Sequence, residues 1–425
     1  MKEDKLVETN KEHITTARRI GRNFIWLTLT EAIGRGVIFI TNMFLARALG
    51  VKGFGVFALA QTLTFYFWLA VDIGTTTYAI REISKDKSNA ETLIGTLFSV
   101  RIVLGLLVVS AYSLVLVFVP MEHSSKLAFL GCGLYLVTHA IYTDWAFKGL
   151  ERVSYLVAGT LVSSVLFLAG TVFLVKDGGD VPKASFLWSL SFLPGGILLF
   201  YFLQYRLGLK LRFNLNLKEW LWHIKGSIWF AIAHGLMIVY QNLPILLLGW
   251  TSSAYDVGLY AGAYRIVLTA YGASFLVFVA SYPVLSDTYA NRRHKFNKVF
   301  LWFAVALVGV GGGISLVSTS FAPQIIRLLL GDQYSQSVPI FRILVWLLPL
   351  FFLRDSVWAV LSIEKAFNEY NKITMAGILA LAIGAVVAVE KYGIIGLSMV
   401  LVAVEMVCDA MFLVTLRKRL SEERR

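Results

Sequence analysis

Residues 46–60 read ARALGVKGFGVFALA, with Gly50, Gly53 and Gly55 crowded around Lys52. A glycine-rich turn with a lysine invites comparison with a phosphate-binding loop. Such a loop needs a strand before it and a helix N-terminus after it in an α/β unit. Here it is flanked by apolar runs at 24–48 and 54–79 instead. Each run is long enough to cross a hydrocarbon core as a helix, which takes about 20 residues. The stretch therefore reads as a hairpin between two membrane spans. Its glycines would permit a tight turn and close packing of the first two helices, with Arg47 and Lys52 reaching the head groups.

The pattern continues along the 425 residues, of which 57% are hydrophobic and 15% charged, with mean hydropathy +0.71. A soluble domain carries about 25% charged residues. No alternating ten-residue strands of the kind a β-barrel shows are present. The fold class is all-α and polytopic. Spans are expected at 24–48, 54–79, 94–119, 127–147, 155–175, 183–205, 226–249, 257–284, 299–320, 338–362, 370–389 and 393–416, about twelve transmembrane helices. The polar start, MKEDKLVETNKEHITTARRI, does not resemble a cleaved signal peptide. Cys132 and Cys408 fall inside apolar runs and read as small core residues.

Lysine and arginine orient these spans. With the N-terminus in the cytoplasm, 27 basic residues fall on the inner side, seven in outer loops, and five within spans. This asymmetry leads to the expectation that both termini lie on the cytoplasmic side of a cell membrane. It also accounts for the net charge of +13 without nucleic acid, since basic inner loops face anionic head groups.

The halves repeat faintly. Phe54-Gly55-Val56-Phe57-Ala58 aligns with Val257-Gly258-Leu259-Tyr260-Ala261, an offset of 203, and the same offset puts Ile25-Trp26 over Ile228-Trp229. A six-helix displacement keeps orientation, so the repeats are parallel, and such repeats place a substrate site between two rocking bundles. The expected organisation is a cytoplasmic tail (1–23), an N-terminal six-helix bundle (24–205) and a cytoplasmic interfacial linker (206–225). A C-terminal six-helix bundle (226–416) and a tail (417–425) follow.

The opening stretch, together with AVDIGTTTYAIREISK (70–85), VGLYAGAYRI (257–266) and FAPQIIRLLLGDQYSQSVPIFRIL (321–344), resembles the polysaccharide and O-antigen flippases. These belong to the multidrug/oligosaccharidyl-lipid/polysaccharide exporter superfamily. The resemblance implies a non-enzymatic flippase that moves polyprenyl phosphate- or pyrophosphate-linked sugars from the inner to the outer leaflet by alternating access. Its partners would be the polyprenyl-linked oligosaccharide, membrane lipids and other membrane proteins of polysaccharide assembly. No cofactor or metal is expected beyond a coupling ion, H⁺ or Na⁺.

With that substrate in view, charges inside spans become site candidates, because a charge there is costly and faces a cavity or a partner. Arg35 and Arg265 are the expected phosphate clamp, and the AYRI motif adds support for Arg265. Glu31, one turn before Arg35, offers the competing reading of local neutralisation. Arg101 and Arg354 are further phosphate candidates, with snorkelling to the interface the alternative for Arg101. His234, Gln241, Asn242 and Tyr264 are expected as sugar contacts, or as a polar helix seam. Asp72 serves ion coupling or a helix hinge. Glu405 and Asp409, four residues apart, share a helix face and suit proton or sodium exchange, unless an interhelical partner takes them. His139 and Asp144 show an acyltransferase-like spacing, but a continuous helix would set them about 140° apart.

Two competing functions follow from the same residues. An ion-coupled multidrug or organic-cation exporter of the same superfamily would show a cavity of carboxylates and aromatics. A membrane-embedded sugar-lipid polymerase would show a large catalytic outer loop, and the outer loops here are short.

Overall fold

The computed structural model describes residues 2–272, 285, 287–289, 291, 293–363 and 366–422. The chain is an all-α membrane protein. Its first helix, α1 (Lys2–Asp72), holds the first two expected spans in one run and bends at Gly50. The φ of 68° there suits a residue without Cβ. At Ile73 (φ 40°) and Gly74 (φ 73°) the chain leaves the helix and restarts as α2 (Thr75–Lys85). The expected second span, 54–79, therefore ends early, and its last residues join an amphipathic helix.

Next come α3 (Ala90–Phe118), α4 (His123–Gly133), α5 (Tyr135–Thr138), α6 (Asp144–Gly149) and α7 (Ser154–Leu174). The expected span 127–147 is thus broken into short helices, and His139 and Asp144 do not share a continuous one. Helices α8 (Val181–Leu190) and α9 (Phe192–Tyr201), then a wider turn at Phe202–Arg206, fill the sixth expected span.

Residues 208–216 carry no regular structure. They lie along α3, where Asn214 donates its backbone N–H to Ser99 Oγ (2.9 Å) and its side-chain amide to Thr96 Oγ1 (3.0 Å). Asn216 caps α10 (Leu217–Thr251), so the second half of the expected linker is already helix.

The second half comprises α11 (Ala254–Gly272), α12 (Arg293–Ser320), α13 (Ala322–Leu330), α14 (Ser337–Leu344), α15 (Leu347–Ile363) and α16 (Phe367–Glu422). The α16 run bends at Gly393 (φ 58°) and so contains the last two expected spans. Residues 273–284 of the eighth expected span lie outside the described residues. Among the described residues, eight segments are long and apolar enough to cross a membrane, two of them carrying these glycine bends.

Large apolar side chains such as Trp229 (76% exposed) and Trp250 (83%) face outward, as a lipid-facing surface requires. One apolar core joins the two bundles, packing Phe54 and Phe57 with Leu259, Tyr260, Tyr334 and Leu344. Smaller cores lie around Trp145 and around Phe412.

The bundles close on each other at the Gly50 end. Tyr334 donates its hydroxyl to Ala46 O (3.2 Å), Gln333 donates to Arg47 O (3.0 Å), and Arg47 donates to Leu329 O (3.2 Å) and Leu328 O. Gly55 meets α11 of the other bundle: a Cβ there would lie 1.9 Å from Ala254 O. Gly50 makes the bend where the hairpin was expected, but Gly55 serves contact between bundles and not packing of the first two spans on each other.

Candidate functional site

On the terminal side of this closure lies a cavity of about 570 Å³. Among the described residues, α1 contributes Arg35; α10 contributes His234, Tyr240 and Gln241, and α11 contributes Tyr271. Arg354, Asp355 and Trp358 come from α15, and Tyr370, Asn371 and Glu405 from α16. A pocket of this size, mostly apolar with a few convergent polar groups, has the form of a ligand site.

Two of the four expected phosphate-binding arginines reach it. Arg35 binds Glu31 Oε2 through Nε at 2.9 Å and is half exposed. Its side chain crosses the space beside Gly272 of α11. Both the local neutralisation and the cavity position expected for it are therefore present. Arg354 Nη1 binds Glu405 Oε1 at 2.6 Å, and its guanidinium lies 4.6 Å from the Phe351 ring centroid. Tyr240 donates its hydroxyl to the other oxygen of Glu405, and Tyr271 donates to Asp355 Oδ1 at 2.9 Å. Each cavity arginine thus has a carboxylate beside it. The cavity is charge-balanced.

The other two arginines sit elsewhere. Arg265 donates to the side-chain oxygens of Asn42 and Gln61 on α1, 4.8 Å from the Phe54 ring centroid, and does not line the cavity. In this conformation Arg35 and Arg265 form no clamp; Arg265 is a polar bridge between bundles near the closed end. Arg101 is 1% exposed and paired with Asp72, with Thr75 Oγ1 accepting from its Nε at 2.9 Å. Neither snorkelling nor cavity lining describes it, because its partner is buried inside the same bundle.

Asp72 itself accepts from the backbone N–H of Gly74 and of Thr76, both at 3.2 Å, and from Thr76 Oγ1 at 2.6 Å. Those bonds pin the break between α1 and α2. Of the expected sugar contacts, His234 and Gln241 line the cavity. Asn242 donates instead to Ile238 O at 2.9 Å, and Tyr264 is buried with its hydroxyl on Gln241 O at 3.2 Å.

Glu405 lines the cavity, whereas Asp409 is 3% exposed, and neither of its carboxylate oxygens has a hydrogen-bond partner. His139 stacks on Tyr135 (4.6 Å), and Asp144 pairs with Lys148 (2.6 Å).

Sequence reasoning missed the Arg354–Glu405–Tyr240 assembly, whose members come from three helices. Arg354 and Glu405 were visible only as separate intramembrane charges. It also missed Trp358, Tyr370 and Asn371, which in sequence look like ordinary helix-end residues.

Comparison with known proteins agrees with this architecture. The family model for "Polysaccharide biosynthesis protein" matches residues 20–289. A protein of Escherichia coli (strain K12), named "Putative O-antigen transporter", is 23% identical over 373 residues, spanning 86% of this chain and 89% of that one. An inward-facing multidrug resistance MATE family transporter of the MOP superfamily superposes with TM-score 0.74 at 14% identity, over 94% of this chain and 98% of the other. The lipid II flippase MurJ, in an inward closed conformation, gives TM-score 0.69 at 13% identity, over 92% and 87%. The family match covers more than half of the sequence, and the chain belongs to the polysaccharide biosynthesis protein family, on a fold it shares with the MATE and MurJ transporters.

Proposed function

We propose that this protein is a flippase for polyprenyl phosphate- or pyrophosphate-linked sugars, carrying the head group from the cytoplasmic to the outer leaflet. One observation carries the reading. Arg35 of one bundle and Arg354 of the other line a single cavity whose far end is closed by contact between the bundles. Guanidinium groups match phosphate oxygens in geometry and charge, and Tyr240, Tyr271, Trp358 and Tyr370 offer flat faces to sugar rings. The basic-residue asymmetry supports placing the open end in the cytoplasm. The head group enters there while its tail stays in lipid, and rocking of the bundles then opens the Gly50 end. No step of this cycle makes or breaks a covalent bond.

A second reading draws on Asp355 and Glu405 in the same aromatic-lined cavity, which suit an organic cation. Reconstitution into liposomes separates the two. The flippase reading expects accelerated translocation of a labelled polyprenyl pyrophosphate-linked sugar. Export of an organic cation with no effect on that lipid would overturn it.

A further inference from the structure

The segment that joins the two halves is fixed in place on the first bundle. From 206 to 212 its side chains alternate. Leu207, Leu209 and Leu211 pack against the core around Trp145, while Arg206, Lys210 and Arg212 are exposed. Period two is the pattern of an extended chain with one face covered. Its backbone presses onto α3, where a Cβ on Gly95 would stand 2.6 Å from Arg212 O. Asn214 fastens it further through Ser99 and Thr96. Glu219 is the one acidic residue of 206–225, and its carboxylate accepts from the side-chain amides of Asn214 (2.5 Å) and Asn216 (2.9 Å). The charged ends of Arg206, Lys210, Arg212 and Lys218 have neither hydrogen bond nor ion pair among the described residues. The cations are thus held in one exposed row, with the nearby carboxylate turned to other partners.

We propose that this strap is a binding site for anionic phospholipids of the cytoplasmic leaflet, whose phosphates are taken by Arg206, Lys210, Arg212 and Lys218. Two membrane-length helical segments flank it, one ending at Arg206 and the next starting at Leu217, so it lies at the level of the head groups. Tyr205, Phe213, Leu215 and Trp222 are exposed beside the cations. A soluble anionic partner would neutralise the charges and leave those side chains in water. The membrane interface covers both kinds of group at once, aromatic rings at head-group level and cations on phosphate. Guanidinium groups suit the planar, two-point contact that a phosphate diester offers. The strap runs on into α10, where Ser227 donates to Ile73 O at 2.7 Å and a Cβ on Gly74 would stand 2.3 Å from Ala231 N. The cytoplasmic start of α10 therefore moves with the first bundle, and lipid bound at the strap ties that bundle to the leaflet. The site does not depend on what the central cavity carries.

The test uses the purified full chain in neutral detergent, with phosphatidylglycerol or phosphatidylcholine of identical acyl chains added. Native mass spectrometry then counts the lipids retained. A neutral micelle has no anionic surface, so retention reports direct contact. The variant replaces all four cations: Arg206→Gln, Lys210→Gln, Arg212→Gln and Lys218→Gln. Its control removes the same charge from exposed positions of the second bundle: Lys295→Gln, Lys298→Gln, Lys372→Gln and Arg417→Gln. Wild type is expected to prefer phosphatidylglycerol by about tenfold or more, the worth of one charge-assisted contact, and the strap variant to fall within about twofold of no preference. The control is expected to keep the wild-type preference. Equal losses in variant and control would show attraction by surface charge at large and overturn the site, as would a wild type without preference. Should the strap variant not fold, Asn214→Ala replaces it. That change keeps every cation but unfastens the strap from α3 and releases Glu219, so the preference is expected to fall, and an unchanged preference overturns the proposal.

Discussion

Gly55 of α1 and Gly258 of α11, the residues that occupy equivalent places in the two sequence repeats, lie against each other's helix. A Cβ on Gly55 would meet Ala254 O at 1.9 Å, and a Cβ on Gly258 would meet Val51 O at 1.9 Å. Closure at the Gly50 end is thus built on backbone-to-backbone approach, which no other residue permits without separating the helices. Small residues let membrane helices approach in this way.

Gly258→Val is therefore expected to disfavour the closed end by about 1–3 kcal/mol, the usual cost of overpacking. A cysteine introduced at Asn42 should then be labelled about tenfold faster by a water-soluble maleimide, since 1.4 kcal/mol is a factor of ten. Unchanged labelling would show that this crossing does not hold the closure.

Arg265 should behave as a bridge and not as a receptor in this conformation. Its donors go to Asn42 and Gln61 of the opposite bundle, and hydrogen bonds from a charged group contribute about 1.5–3 kcal/mol each. Arg265→Met is expected to lower thermal stability while leaving farnesyl pyrophosphate affinity within about threefold, under 1 kcal/mol. A larger loss of affinity would return Arg265 to the binding site.

The cavity arginines should differ from each other. Arg354 is buried, with a guanidinium shared between Glu405 and the faces of Phe351 and Tyr240, whereas Arg35 is half exposed. Lysine replaces a point charge but not a planar, stacked fork. Arg35→Lys is expected to keep transport within about threefold, while Arg354→Lys loses about tenfold or more, a loss of about 1.4 kcal/mol or above. Initial rates in the liposome assay decide it, and equal losses would contradict the assignment.

Within the first bundle, Asp72 and Arg101 form a buried pair. Removing one member leaves the other charge uncompensated, at a cost of about 3–5 kcal/mol, whereas replacing both with apolar residues is far milder. Asp72→Leu and Arg101→Met singly should lower the melting temperature more than the double variant does. Additive losses would show that the two charges are not coupled.

Several of these features could be read from the residues in order. Apolar runs of span length announced the helices, and Gly50 announced the hairpin, because both are local properties of the chain. Glu31 and Arg35 were legible as a pair for the same reason, being one helical turn apart. The break at Ile73–Gly74 was announced only by Asp72 as a candidate hinge, and the breaks across 134–143 were not legible. Arg101, distant in sequence, holds Asp72 at the first of them.

What the sequence determined alone was the number and placing of the apolar runs, the charge asymmetry across them and the repeat. Each of these follows from the cost of exposing polar backbone or charge to hydrocarbon. The tertiary structure decided which intramembrane charges meet. It buried Arg101 on Asp72, set Arg265 between bundles, and brought Arg354 and Glu405 together from different helices at the cavity wall. A helix presents its charges on a face, and only packing selects what that face meets. ARALGVKGFGVFALA follows the same rule: its turn was written in Gly50, but the partner of Gly55 was chosen by the way the two bundles close.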